Sequence, residues 1–345
     1  MVGKLMRIIR IILCILVLKV LVVNLLAQRK LIVSPSLPNS FKSIQAAINS
    51  IAPNNKIPII IEIKNGVYKE KIYLKNNHLI FRGESREQTI IQQTIARDEW
   101  RCSNPSDWGV ATINVDSCSD IQFENLTVIN DYGKVNTSSK TIACVNDTSG
   151  KKLISITSHQ MAFRSFAATR LQFNHCRFVA YGGDTMSPWN TNDGMFYFND
   201  CIIEGGVDLF CPRGWSLAEN CIFIANTGPA IIWHDGSVHE SSKTVLSNCR
   251  FEGYDGFKLG RYHRDAQFYL MNCSFAANMA DQDIYLVPTT NTILWGRRVY
   301  YYNCRKDGIA YNWYANNVLN SKLPIEPNKI NASWVFENKW TPSMN

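Results

Sequence analysis

The sequence predicts an all-β chain, a single right-handed parallel β-helix with one helix capping its N-terminal end. Three observations predict it. Six near-repeats, FNHCRF, FNDCII, AENCIF, LSNCRF, LMNCSF and YYNCRK, place Cys176, Cys201, Cys221, Cys249, Cys273 and Cys304 at intervals of 25, 20, 28, 24 and 31 residues. Weak self-similarity at such a period is what a stacked solenoid leaves in its sequence. Gln160, Asp184 and Asp208 recur 24 residues apart, each in a short polar or glycine-rich break. From about Ile59 to Cys304, short strand-like runs alternate with polar turns, with no long helical period and no hairpin signal at every turn, which favours parallel coils. The hand follows from the right-handed preference of parallel crossovers.

Taken in order, residues 1–27 read as a leader. Lys4, Arg7 and Arg10 precede an apolar run from Ile11 to Leu26, and Ala27-Gln28 resembles a signal peptidase site, making Gln28 the expected mature N-terminus. Lys19 interrupts the run, so an uncleaved anchor is the alternative; Cys14 follows Leu13 and not a small residue, which argues against lipoprotein processing. No other apolar stretch approaches the roughly 20 residues of a membrane span. Residues 41–52 carry Phe41, Ile44, Ala47, Ile48 and Ile51 at helical spacing and form the expected cap. Strand-like text rich in Ile and aromatics follows, broken at Asn65-Gly66 and Arg82-Gly83. Residues 131–157 are polar and weakly patterned, a surface excursion near the site. The last forty residues read as a tail packed across the outside of the coils. No Gly- or Ser-rich linker divides residues 28–345, which are expected to form one domain.

The formal charge of +8 falls to +4 once the four basic residues of the leader are removed, and Lys and Arg are scattered. That is no nucleic-acid signature, whereas an acidic polysaccharide is a compatible partner. Ten of the 11 cysteines remain after cleavage. In-register cysteines in a stack have Cβ atoms near the strand spacing of about 4.8 Å, beyond the roughly 3.8 Å of a disulfide, so the six repeated ones are expected to be buried free thiols. No Cys-x-x-Cys pair and no His-x-x-x-His motif points to a metal. Asn174, Asn199, Asn220, Asn248, Asn272 and Asn303 are expected to stack at one turn, their amides satisfying backbone groups.

The trio is different because its members are chemically distinct and two are carboxylates. With about 24 residues per coil, Gln160, Asp184 and Asp208 share one column, and Asp184 and Asp208 become immediate neighbours. Two carboxylates that close are driven apart in pKa, which divides acid and base roles.

These segments resemble the pectinesterases (pectin methylesterases), parallel β-helix enzymes that remove methyl esters from polygalacturonate. HQMAFR at 159–164 is similar to the family's H-Q-A-V-A-L-R segment, YGGDTM at 181–186 to Y-Q-D-T-L, GGVDLF at 205–210 to G-x-V-D-F-I-F, and LGRYHR at 259–264 to L-G-R-P-W. Weaker similarity runs from FKSIQAAI at 41 through GVYKEKI at 66–72, so nearly the whole mature chain is covered. The resemblance implies Asp208 as nucleophile, Asp184 as general acid and then base, Arg261 as the partner of the nucleophile, and Gln160 as one of two oxyanion glutamines. The second glutamine is replaced by Gly183, and the Pro and Trp after the arginine by Tyr262 and His263.

The chemistry also follows from the residue types. An ionised Asp208 held by Arg261 attacks the ester carbonyl to give an acyl-enzyme anhydride. Asp184, kept protonated beside that charge, donates to the leaving methanol and then takes a proton from water. Gln160 offers an amide N–H to the oxyanion. No G-x-S-x-G elbow occurs, which disfavours a serine esterase. Trp189, Trp215, Trp233 and Tyr262 are candidates to stack on sugar rings, with packing an equal alternative; Tyr262, His263 and Trp233 are the expected substrate contacts.

The expectation is therefore a secreted or periplasmic, bacterial-type esterase, monomeric, needing no cofactor or metal and acting on methyl-esterified pectin or a related galacturonan. Two other classes stay open: a β-helix polysaccharide lyase or glycoside hydrolase, since carboxylates about 5 Å apart also suit a retaining glycosidase, and a non-catalytic carbohydrate-binding β-helix.

Overall fold

The intervals between the repeated cysteines become coil lengths. In the computed structural model, which describes residues 29–321 and 324–343, Leu171 pairs with Phe196, Met195 with Trp215, Ser216 with Thr244, Thr244 with Phe268 and Phe268 with Val299. Those offsets reproduce the sequence intervals one for one. The predicted leader and Gln28 lie outside the described residues.

Three parallel sheets run along a parallel β-helix. One has ten strands, from Arg29–Val33 to Val299–Tyr302; a second has nine, from Gly66–Tyr68 to Arg305–Lys306. The third is interrupted. Its first run comprises Ile72–Leu74, Ala111–Asp116, Met161–Phe166 and Met186–Trp189, and its second Ile232–His234, Gly260–Tyr262 and Tyr285–Leu286. Between them the chain makes only the isolated bridges Met186–Phe210, Trp189–Arg213 and Phe210–Ile232.

Alternation along the strands of the large sheet sends one face into the core, and from Met195–Asn199 onward the outward face is largely apolar as well. Phe81, Phe123, Phe173 and Phe198 point inward and stack in a ladder with centroid spacings of 4.9, 5.5 and 4.8 Å. Their strand neighbours point outward, and Tyr197, Leu217, Val245, Tyr269 and Met271 are covered by Val318, Val335 and Phe336 of the C-terminal tail. The tail therefore packs across the coils as expected. The N-terminal helix spans Ile44–Asn49, shorter than the 41–52 stretch, with Ser43 capping it and Ile44, Ala47 and Ile48 buried against the first strands.

The repeated cysteines line the interior as free thiols, Cys304 less buried than the others. Four of them lie in hydrogen-bond reach of a carbonyl on the neighbouring coil, as in Cys201 Sγ to Phe173 O at 3.4 Å. The asparagines do not form one column. Asn220, Asn248, Asn272 and Asn303 adopt left-handed φ of 50–57°, and the same turn position is filled by His175 and Asp200 in earlier coils, while Asn174 and Asn199 sit one residue before it. What the turn selects is tolerance of left-handed backbone, which Asn, Asp and His have more than most residues. Within this set of six asparagines, amide-to-amide bonds join only Asn220 to Asn199 and Asn303 to Asn272.

The excursion at 131–157 is more ordered than its text suggests. It holds an antiparallel pair, Lys140–Ala143 with Lys151–Ile154. A disulfide between Cys102 and Cys144 ties it to the loop carrying Arg97 and Asp107.

Candidate active site

The break in the third sheet carries the two carboxylates. The Met186–Phe210 bridge sets Asp184 level with Asp208 on adjacent coils, and both residues take left-handed φ, 62° and 55°. Aspartate tolerates that region better than most side chains, but such backbone still costs energy and gathers at functional sites. Both carboxylates line an open cleft of about 250 Å³, together with Arg97, Asp107, His159, Met161, Arg164, Trp189, Arg213, Trp233 and Asp235.

Arg261 reaches Asp208 with both arms of its fork, Nε to Oδ1 at 3.0 Å and Nη2 to Oδ2 at 2.7 Å. Its strand, Gly260–Tyr262, pairs Arg261 with Trp233, whose ring lies under the guanidinium at 5.1 Å. A bidentate, charge-assisted pair fixes the orientation of the carboxylate as well as favouring its charge. Burial is nonetheless the largest influence on Asp208 and pushes its carboxyl above the usual range; Arg261 pulls the other way and the Asp184 charge adds to the rise. The Asp184 Oδ1 atom lies 3.9 Å from His159 Nε2.

Gln160 is in the column by its backbone and leaves it by its side chain. Its N–H donates to Gly183 O at 2.9 Å as the Asp184 N–H does to Val207 O at 3.2 Å, and the register shifts by one only at Ala162 and Phe163, whose N–H groups both donate to Thr185 O. Gln160 is wholly buried, its Oε1 accepting from Gly133 N at 2.8 Å and its Nε2 donating to the Ile156 carbonyl at 2.5 Å. Both ends of the amide are engaged with backbone, so the oxyanion role expected of it is corrected to a structural one.

The expected sugar contacts divide the same way. Trp233 lines the cleft, and His263 packs edge-on against it at 4.7 Å. Tyr262 alternates inward from Arg261 and is 4% exposed in the core, beside Phe268, so it is no substrate contact. Trp215 is buried under the tail. Trp189 is the aromatic ring most exposed at the cleft.

Sequence reasoning missed a second layer of charge. Arg213, almost wholly buried, makes a bidentate pair with Asp235 at 2.7 and 3.1 Å and donates from Nη1 to Ser187 Oγ and the Cys211 carbonyl. Burial works to raise the Asp235 carboxyl, but the Arg213 charge holds it below the usual range. Arg97 and Arg101 both bind Asp107 on the disulfide-tied loop. The available signal was position: Arg164 closes the HQMAFR segment and Arg213 follows GGVDLF by three residues.

The comparisons with known proteins agree on this architecture. The Pectinesterase family model matches residues 30–232. Probable pectinesterase 67 of Arabidopsis thaliana is 25% identical over 244 residues, 68% of this chain and 62% of that protein. Pectinesterase A of Dickeya chrysanthemi is 40% identical over 96 residues, 27% of this chain and 25% of its own length. The chain thus spans less than two thirds of either relative. Among solved structures, a pectin methylesterase in complex with a hexasaccharide superimposes with a TM-score of 0.72 at 21% identity, covering 92% of this chain and all of the other. Pectin methylesterase PemA from Erwinia chrysanthemi gives 0.69 at 22% identity, covering 92% and 98%. These likenesses show a shared fold, and with a family model that matches more than half of the 345 residues, the chain belongs to the pectinesterase family.

Proposed function

We propose that this protein hydrolyses the methyl esters of galacturonate residues in pectin, with Asp208 as nucleophile and Asp184 as acid and then base. The observation that carries the reading is the Asp184–Asp208 pair on adjacent coils with Arg261 clamped on one member. The clamp makes the two carboxylates unequal, which is what a division of roles requires. Asp208 attacks the ester carbonyl; Asp184 protonates the departing methoxide, and the resulting carboxylate then takes a proton from the water that opens the anhydride. Gln160 has no part in this scheme. Trp233, with His263 against it, and Trp189 flank the carboxylates as faces on which sugar rings can lie.

Export to a secreted or periplasmic location, with cleavage near Ala27-Gln28, and action as a monomer complete the proposal. The test is to follow products from methyl-esterified pectin with the purified protein. Methanol and carboxylate should appear in equal amounts. New reducing ends without methanol would indicate a glycoside hydrolase, unsaturated ends a lyase, and binding without turnover a carbohydrate-binding β-helix.

A further inference from the structure

A second cavity, of about 530 Å³, lies on the outward face of the ten-stranded sheet beneath the C-terminal tail, and it shares no residue with the cleft in the third sheet. Register builds its floor. Thr244, Phe268 and Val299 are level on adjacent strands, so Lys243, Gln267 and Arg298 form one row, and Val245, Tyr269 and Tyr300 form the next row on the same face. From the tail, Trp334 meets Tyr269 edge-on at 5.1 Å, and Ile325 adds a further apolar wall. The two cations are buried, Lys243 at 7% and Arg298 at 6% exposure. Arg298 Nη1 donates to the Glu240 carbonyl at 2.5 Å and to Gln267 Oε1 at 3.4 Å, while its Nε and Nη2 are sealed without an acceptor. Lys243 Nζ lies 4.7 Å from the Trp334 ring and donates to no group among the described residues. Glu240 and Glu337 also line the cavity, but neither carboxylate is within ion-pair reach of these cations, and Glu337 is bonded to Lys339 at 2.7 Å. Burial pushes the Lys243 ammonium down to about 8; Glu337 opposes the fall and the Lys339 and Arg298 charges add to it, yet at neutral pH the group stays mostly protonated.

We propose that this cavity binds a small aromatic carboxylate, its acid group on the Lys243 ammonium beside Arg298 and its ring against Tyr269, Tyr300 and Trp334. The inference stands apart from the esterase reading, because the two sites occupy different sheets. A buried cation is costly unless it is paired, and Lys243 offers donors that no described group of the chain accepts. Arg298 supplies a second positive charge next to it, so an anion entering here meets two cations and no competing ion pair. The rest of the wall is aromatic and apolar. A hydroxyl-rich sugar would leave polar groups unpaired against it, whereas an aromatic ring buries there without that cost. The volume falls in the roughly 300–1,000 Å³ range of small-molecule sites.

The experiment is calorimetric titration of the parent and of Lys243→Met with trans-cinnamate, with its uncharged analogue cinnamamide and with trigalacturonate, using circular dichroism as a fold check. The parent should bind one cinnamate with a Kd of roughly 0.1–1 mM, and cinnamamide at least about tenfold more weakly. Lys243→Met, which keeps the apolar stem and removes the charge, should weaken cinnamate by about tenfold or more, the usual worth of a hydrogen bond to a charged group, and leave cinnamamide unchanged. No cinnamate binding by the parent up to about 10 mM overturns the proposal. So does equal affinity for acid and amide, or an unchanged cinnamate affinity in Lys243→Met. Trigalacturonate binding that is lost in Lys243→Met, without cinnamate binding by the parent, would make the ligand a uronate and overturn the aromatic assignment. Should Lys243→Met fail to fold, a crystal structure of the parent grown with cinnamate decides: a carboxylate on Lys243 supports the site, and cinnamate bound only elsewhere overturns it.

Discussion

The cysteine column and the carboxylate column run along the same coils and behave in opposite ways. Each coil from Cys176 to Cys304 repeats the first, placing a free thiol among apolar side chains. The second occurs once, where the third sheet breaks, with left-handed aspartates and buried ions. Repetition satisfies every coil with the same contacts, so packing maintains it. The site has no second copy, and its geometry is held by particular ion pairs.

That contrast can be pressed with substitutions, beginning with the largest effect. Asp184→Asn should lower methanol release by a factor of about 10²–10⁴, the range for a general acid-base group, with the melting temperature little changed because the residue lies on the cleft. A variant retaining more than a tenth of parental turnover would remove the proposed acid. Arg261→Lys should cost roughly tenfold to a hundredfold, since an ammonium cannot reproduce the two-armed contact. It should also move the acid limb of the pH–rate profile upward. Asp208 already stands above the usual carboxylate range, the ionised form is the nucleophile, and weakening the pair that favours ionisation raises its pKa further. An acid limb that moves down or stays fixed would contradict the assignment of Arg261.

Gln160→Ala sits between the two columns. The change strands the Gly133 N–H and should cost about 1–3 kcal/mol of stability, read by urea unfolding, with kcat of the folded fraction near parental. A selective loss of kcat without destabilisation would return Gln160 to the oxyanion. The smallest effect belongs to the ladder: Cys221→Ala should destabilise by about 1 kcal/mol, near the centre of the distribution for single substitutions, and leave activity unchanged. Thiol titration under denaturing, non-reducing conditions should find the eight free cysteines of the described residues, and a ninth, Cys14, only where the leader is retained.

The same contrast explains what was legible in the sequence. The coil lengths could be read because Cys176 to Cys304 mark one position in successive turns, so spacing is register. At the site, equal spacing of 24 was accurate along the backbone from Gln160 to Asp184 and on to Asp208, but spacing does not say that the Gln160 side chain is buried with its amide on Gly133 and Ile156. Tyr262 was misread as a cleft residue, though it is the inward neighbour of an outward arginine. The Asp184, Asp208 and Arg261 cluster was found because its residue types carry the chemistry. Arg164, Arg213 and Asp235 escaped notice because their meaning lies in contacts between coils. The Cys102–Cys144 pair joins two loops with no repeat to relate them.

The central claim is that Asp208 is the nucleophile of a methyl esterase, and methanol release from methyl-esterified pectin by Asp208→Asn tests it most directly. The account predicts a variant with a parental circular dichroism spectrum and melting profile that releases methanol at least about 10⁴-fold more slowly, the scale seen when a nucleophile is removed. Methanol release at the parental rate by the folded variant would contradict it.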